Sequence, residues 1–230
     1  MKRSLLLLIL LITIIPCFAE AEQNIGRITE ITGVVKKTNI NCEKGACGNR
    51  WDDVYPDERI ITGTNSKSSI ILDDGTAIIL YENSDILIEK VRLSGKEKPT
   101  TINFEYGRAK IIQKNSYLDT SLVIKTAVAI IKSVNAGLSV VTATDETALF
   151  VYKGEAGFAN ASPPVVEAFL LAGGDESFVS KDSPPSRPVK VSAVLRGSWI
   201  NRHFVSADRK KILKYGKKGS VADWLFINNE

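Results

Sequence analysis

The stretch from Thr62 to Glu89 constrains the fold most, because its apolar residues come in short runs separated by turn-forming residues. The runs are Ser69–Leu72, Thr76–Leu80 and Ile86–Ile88, divided by Asp73-Asp74-Gly75 and by Glu82-Asn83-Ser84-Asp85. Short β-branched runs bounded by Asp, Asn, Ser and Gly indicate strands joined by tight turns. Gly75 stands where a three-residue connection needs positive φ. No period of 3.6 residues survives these turns, so a helix is the weaker interpretation.

The same pattern continues downstream and predicts an all-β fold of stacked short antiparallel strands, either β-solenoid-like or sandwich-like. Predicted elements include strands at Thr101–Glu105 and Ala109–Gln113 around a turn at Gly107, and a pair formed by Leu138–Thr142 and Thr147–Tyr152. The alanine-rich Lys125–Lys132 is compatible with a helix, but its β-branched neighbours favour a strand. No strict repeat length is visible, so the solenoid and the sandwich both stay open.

The N-terminus has the organisation of a secretory signal peptide over residues 1–19. A basic start precedes the apolar segment Leu5–Ile15, and small residues at Ala19 and Ala21 suit cleavage. The apolar segment is too short to span a bilayer comfortably. A lipid anchor at Cys17 is the alternative, and Pro16 disfavours it. We therefore expect a cleaved chain in the periplasm or on the extracellular face, with no membrane-spanning segment after cleavage.

The charge balance disfavours nucleic acid as a partner. The whole chain has 30 Lys and Arg against 26 Asp and Glu, a net charge of +4. Cleavage removes Lys2 and Arg3 and so leaves 28 basic residues against 26 acidic ones, a net charge of about +2. Such a surface produces no long-range field of the kind that attracts nucleic acid.

The cysteines fit an exported protein. Cys42 and Cys47 flank a short glycine-containing loop, and this spacing predicts a disulfide in an oxidising compartment. A zinc site would need two further ligands, and the single histidine, His203, is remote in sequence. A redox-active pair more often has the spacing C-x-x-C. We predict a structural disulfide, with no metal and no cofactor.

Adjacent carboxylates occur twice, at Asp52-Asp53 and at Asp73-Asp74, and each pair could be interpreted as an acid–base pair. Neighbouring carboxylates on a turn point apart and more often accept hydrogen bonds from local backbone N–H groups. His203 has no recognisable serine motif or acid partner, so no nucleophilic triad is indicated. The sequence therefore predicts no catalytic residue and no enzyme.

A set of turn and core residues between Trp51 and Ile88 follows the pattern of one protein family. The matching residues are Trp51, Val54, Ile61, Gly63, Ser68, Leu72, Asp74, Gly75, Thr76, Ile78, Leu80, Asn83, Ser84, Ile86 and Ile88. Their order resembles the FecR domain of bacterial periplasmic proteins, as do Gly107 and two later glycine-containing stretches. The run at Lys125–Gly137 departs from the family, because it lacks the proline and the R-G-T that members usually carry there. The resemblance covers roughly residues 25–185, and we place the domain at 22–181.

The resemblance implies a non-catalytic β module that receives a signal from a partner protein. Iron-uptake regulators of this family place a cytoplasmic anti-sigma domain and a spanning helix before the FecR domain. We expect neither here, because a signal peptide leads directly into the β module, so the chain alone is not expected to signal across a membrane.

The C-terminal part has a different composition. Residues 182–188 are rich in proline and predict a semi-rigid linker. Residues 189–230 predict a basic, partly helical extension with two capped segments. Its basic cluster is a candidate partner contact and consists of Lys210, Lys211, Lys214, Lys217 and Lys218. The alternative is a solvated helix face with Trp224-Leu225-Phe226 packed on the β domain.

Three functions remain open from the sequence. The leading hypothesis is an exported β module that binds a protein or polymer in the cell envelope through exposed strand edges. The second is a free-standing sensor that passes an envelope or iron-uptake signal to a separate membrane regulator. An envelope hydrolase is the third, and it is disfavoured because no paired acids, triad or metal ligands are evident.

Overall fold

A computed structural model of the chain describes residues 23–39, 46–92, 99–113, 121–162 and 167–191. Several predicted features lie outside these residues, namely the signal peptide, Cys17, Cys42, His203 and the lysines of the C-terminal basic cluster. The predicted partly helical extension also lies outside them, except for residues 189–191.

The described residues form strands and no helix, which confirms the all-β prediction. The strands are β1 (Gly26–Thr32), β2 (Val35–Asn39), β3 (Ala46–Cys47), β4 (Asp53–Val54), β5 (Glu58–Thr62), β6 (Lys67–Leu72), β7 (Ala77–Leu80), β8 (Ser84–Lys90), β9 (Thr100–Ile112), β10 (Ser121–Lys125), β11 (Ala129–Thr142), β12 (Glu146–Asn160), β13 (Ala168–Ala172), β14 (Asp175–Ser180) and β15 (Val189–Lys190).

The strands are hydrogen-bonded along two paths that share three long strands. The first layer has the order β4-β1-β6-β7-β9-β11-β12-β14-β15. The second has the order β3-β2-β5-β8-β9-β10-β11-β12-β13. β9, β11 and β12 are long enough, at 13, 14 and 15 residues, to pair in both layers. One contiguous apolar cluster contains side chains of both layers, so the arrangement is sandwich-like.

Gly107 marks the point at which β9 passes from one layer to the other. Residues before it pair with β8, and residues after it pair with β7 and β11. The structure therefore corrects the predicted turn at Gly107, because the strand bends there and does not reverse. The bend needs a φ of 108° and a close approach to Ser84, and both requirements are met by a residue without Cβ.

The core confirms the strand assignments made around Gly75. That glycine has a φ of 84° in the turn between β6 and β7. Ile70, Ile78 and Ile86 are at most 1% exposed, as expected for residues that alternate towards the core. The predicted strand near Lys125–Lys132 is interrupted by a short turn, after which β11 begins. β10 pairs in parallel with β9, whereas the other pairs of described strands are antiparallel.

The proline-rich segment follows the edge of the first layer. Ser186 N–H donates to the Phe178 carbonyl at 2.8 Å, and Pro185 is buried. β15 then pairs with the start of β14. A domain boundary at residues 182–188 stays a prediction.

Candidate interaction surface

Three isoleucine doublets lie side by side in the first layer, at Ile70-Ile71, Ile78-Ile79 and Ile111-Ile112. The strand register pairs Ile70 with Ile78 and Ile78 with Ile111, so the first member of each doublet points into the core. The second member points outwards by alternation. Ile71 is 48% exposed and Ile112 is 37% exposed. Outward positions of such a sheet are usually polar, so this face is unusual.

Two tyrosines extend the same outer face. The Tyr152 ring packs against Gly137, where a Cβ would overlap it, and its hydroxyl donates to the Ile111 carbonyl at 3.3 Å. Tyr81 follows β7, and its N–H donates to the Arg108 carbonyl at 3.0 Å. Both tyrosines are half-buried. We call this surface the Ile–Tyr face and define it by Ile71, Ile79, Tyr81, Lys110, Ile112 and Tyr152.

Cations lie over both aromatic rings. Lys110 Nζ is 5.1 Å from the centre of the Tyr152 ring, and Arg108 Cζ is 5.5 Å from the centre of the Tyr81 ring. Both distances are within the range in which a cation is attracted to an aromatic face. The strand register also pairs Lys110 with Ile79, so the positive charge of Lys110 lies beside the isoleucines of the face.

Burial shifts the ionisation of these groups. It lowers the pKa of Arg108 to about 10, although Glu82 and Tyr81 oppose this. Burial and the nearby Lys67 lower the pKa of Lys110, and burial raises the pKa of both Tyr81 and Tyr152. At neutral pH the phenols are therefore neutral, and Lys110 and Arg108 carry positive charge. The face presents the apolar area of its isoleucines and the positive charge of Lys110, which suits an apolar segment with acidic flanks.

The paired carboxylates have local structural partners. Asp52 Oδ2 accepts a hydrogen bond from Asn49 N–H at 2.7 Å, and Asp53 forms an exposed ion pair with Arg27 at 3.2 Å. Asp74 is buried in its turn, whereas Asp73 is exposed. Among the described residues, no group of three or more His, Cys, Asp and Glu side chains is arranged to hold a metal ion.

The remaining predicted site residues do not come together with the Ile–Tyr face in the described part of the chain. Cys47 is exposed on β3, and Cys42 lies outside the described residues, so the disulfide stays a prediction. The same holds for a partner contact through the C-terminal lysines. Within the described residues, no helix is long and apolar enough to cross a membrane.

Part of the β module matches a known family. The family model described as FecR protein matches residues 58–157. The comparison with curated proteins found no match.

Two similar solved structures are crystal structures of a candidate anti-sigma factor from Parabacteroides distasonis ATCC 8503. One is 16% identical over 62% of this chain and 64% of that chain, with a TM-score of 0.49. The other is 15% identical over 68% of this chain and 70% of that chain, with a TM-score of 0.52. This chain thus spans about two thirds of the length of those proteins, and the second likeness shows a shared fold.

Proposed function

Because residues 58–157 form a FecR domain, we propose that this chain is an exported, non-catalytic FecR module that binds a protein partner in the bacterial cell envelope. The Ile–Tyr face is the observation that carries the proposal. Exposed apolar patches beside aromatic side chains are typical of protein interfaces. Tyrosine also supplies a large part of the binding energy where interfaces have been measured.

The chemistry of the face indicates the partner's binding segment. Ile71, Ile79 and Ile112 form an apolar strip across the neighbouring strands β6, β7 and β9, and Lys110 lies next to this strip. A complementary segment would carry apolar residues with Asp or Glu beside them. The positive charge of Lys110 would steer its approach, and the apolar strip would supply most of the affinity.

We expect Ile71→Glu to reduce recovery of the partner at least tenfold. The new carboxylate would lie desolvated against the partner's apolar residues, and a factor of ten corresponds to about 1.4 kcal/mol. The measurement is crosslinking of the tagged protein in its native envelope, followed by mass spectrometry of the captured proteins. Polymer partners would be detected in the same samples by their glycan content.

Val34→Glu is the matched control, because Val34 is 55% exposed and lies just before β2, outside the Ile–Tyr face and away from β13. This variant should recover the partner as the wild type does. Equal recovery with both variants, or equal loss with both, would contradict binding through the Ile–Tyr face. Thermal unfolding should show that both variants are folded.

The FecR domain itself favours a regulatory version of this function, in which partner binding passes an envelope signal to a separate membrane regulator. The crystal structure that shares this fold belongs to a candidate anti-sigma factor, which agrees with a signalling role. Deleting the gene should then change a defined set of transcripts, and Ile71→Glu should reproduce that change. An unchanged transcriptome after deletion would exclude the signalling version while leaving partner binding to be judged by crosslinking.

A further inference from the structure

β13 is an edge strand that lacks the usual features preventing another strand from pairing with it. Among the described residues it pairs with β12 alone, and its sequence is Ala168-Phe169-Leu170-Leu171-Ala172. Leu170, at its centre, is 65% exposed. Natural edge strands are commonly guarded by charged residues, proline or a bulge, because an unpaired edge accepts another strand. β13 contains none of these.

The hydrogen bonds around β13 show which backbone groups face its free edge. Ala172 N–H donates to Asp175 Oδ2 at 2.8 Å and not to β12. Ala161 N–H donates to the Val128 carbonyl, so this part of β12 directs its odd-numbered residues towards β11. Two of these odd-numbered residues, Gly157 and Ala159, are the register partners of Leu170 and Ala168 in β13. The backbone groups of Ala168 and Leu170 therefore point away from β12.

We propose that β13 pairs with β13 of a second copy of this chain, antiparallel, about a two-fold axis at Leu170. This register places Leu170 opposite Leu170 of the second copy, and Ala168 opposite Ala172 of the second copy. The strand is nearly palindromic, so small residues meet small ones and leucine meets leucine. About four backbone hydrogen bonds would form, two between the leucines and one from each Ala168 N–H.

The core-facing side of β13 supports the same occupant. Phe169 is half-buried and packs against the core, and the register places it opposite Leu171 of the second copy. The register also brings the exposed Glu167 opposite Gly173 of the second copy. Lys190 Nζ lies 3.4 Å from the Gly173 carbonyl, forms an ion pair with Asp175 at 2.7 Å and is 61% exposed. Glu167 of one copy thus approaches the Lys190–Asp175 ion pair of the other at both ends of the paired strands.

The outer side adds apolar area. Leu170 borders a shallow groove of about 440 Å³ that also includes Val123, Val134 and Gly157. The two Leu170 side chains would lie side by side over the grooves of the two copies. The two-fold thus joins the second layers into one continuous sheet and leaves the first layers, with the Ile–Tyr face, uncovered.

Oligomeric state in solution tests the proposal. The exported full-length mature protein should be a dimer by sedimentation analysis, and Leu170→Lys should raise its dissociation constant at least tenfold. Ile71→Lys places the same charge on an exposed apolar position of the other layer and should remain dimeric. A monomeric wild type, or dissociation by Ile71→Lys and not by Leu170→Lys, would overturn the proposal.

Cysteine substitution tests the register. In the proposed pair the two Leu170 Cα atoms are about 5.5 Å apart, which a disulfide spans, so Leu170→Cys should form a covalent dimer on oxidation. Two Ala168→Cys residues would be four positions out of register, about 13 Å apart, and should not crosslink. The wild type, which contains Cys42 and Cys47, is the control for crosslinking through the native cysteines. Crosslinking through Ala168→Cys and not through Leu170→Cys would reject the two-fold, whichever partner the Ile–Tyr face binds.

Discussion

Replacing Gly107 by alanine should destabilise the protein by about 3 kcal/mol or more, from steric overlap and an unfavourable φ together. A Cβ built at Gly107 would lie 2.5 Å from Ser84 Cβ and would overlap the Ser84 backbone. The φ of 108° is also one that residues with a side chain rarely adopt. Equilibrium unfolding in urea, followed by tryptophan fluorescence or circular dichroism, measures the loss.

The loss should be large because Ser84 cannot simply move away. Its hydroxyl accepts a hydrogen bond from Arg108 N–H at 2.9 Å and donates to the Glu82 carbonyl at 3.1 Å. Thr62 Oγ1 accepts a hydrogen bond from Ser84 N–H at 3.0 Å. Displacing Ser84 would therefore disturb β5, β8 and β9 at the point where β9 changes layers.

Gly157→Ala is the matched control for Gly107→Ala. Gly157 lies on another of the strands shared by both layers, and the nearest atom to its built Cβ is the Lys132 carbonyl oxygen at 3.8 Å. Its φ is not positive, so alanine should be neutral or slightly stabilising there. If the two variants unfold at the same urea concentration, the bend of β9 does not depend on a missing side chain at Gly107.

The sequence predicted Gly107 as a turn because glycine between two alternating apolar runs has the same local signature in a turn and in a bend. Which one occurs depends on long-range pairing. Here the two halves of β9 have different partners, β8 and β7, and both partners are fixed by residues more than ten positions away in sequence. The residues next to Gly107 therefore do not determine whether the chain turns or bends there.

The turn at Asp73-Asp74-Gly75 was predictable, since its residue types are dictated by backbone geometry within a few positions. The isoleucine doublets that begin at Ile70, Ile78 and Ile111 also contained information about the outer face of the sheet, which the strand prediction did not consider. Two adjacent isoleucines in a strand must point to opposite faces, so one of each pair lies away from the core unless a second layer covers it. Three such doublets in register indicate an apolar outer face, but the register itself is known only from the structure.

The two proposed surfaces lie on different layers, and this has a functional consequence. A dimer through β13 would leave an Ile–Tyr face free on each copy, so one dimer could bind two partner molecules. Two linked sites bind a multivalent or clustered partner more tightly than one site does, provided that the geometry allows both to engage. Leu170→Lys should then weaken binding to a clustered partner while leaving the affinity for a single partner molecule unchanged.

Asp74→Ala should cost about 2–4 kcal/mol, because its carboxylate holds two buried donors that would lose their partner. Asp74 is 5% exposed, and Thr76 and Thr100 are fully buried. Asp74 Oδ1 accepts a hydrogen bond from Thr76 N–H at 2.8 Å, and Oδ2 accepts one from the Thr100 hydroxyl at 2.5 Å. The carboxylate thus fixes the β6–β7 turn and joins it to the first residue of β9. Urea unfolding measures the loss.

Asp73→Ala, at the neighbouring residue, separates this role from the general preference of turns for aspartate. Asp73 is exposed, and its backbone N–H donates to the Ile25 carbonyl at 3.0 Å, a bond that the substitution keeps. The change should be within about 0.5 kcal/mol, as for most surface substitutions. Asp74→Asn retains one acceptor oxygen, so its loss of stability should lie between those of Asp73→Ala and Asp74→Ala. If Asp73→Ala and Asp74→Ala lose the same stability, both aspartates act by stabilising the turn, and the buried hydrogen bond to Thr100 contributes little.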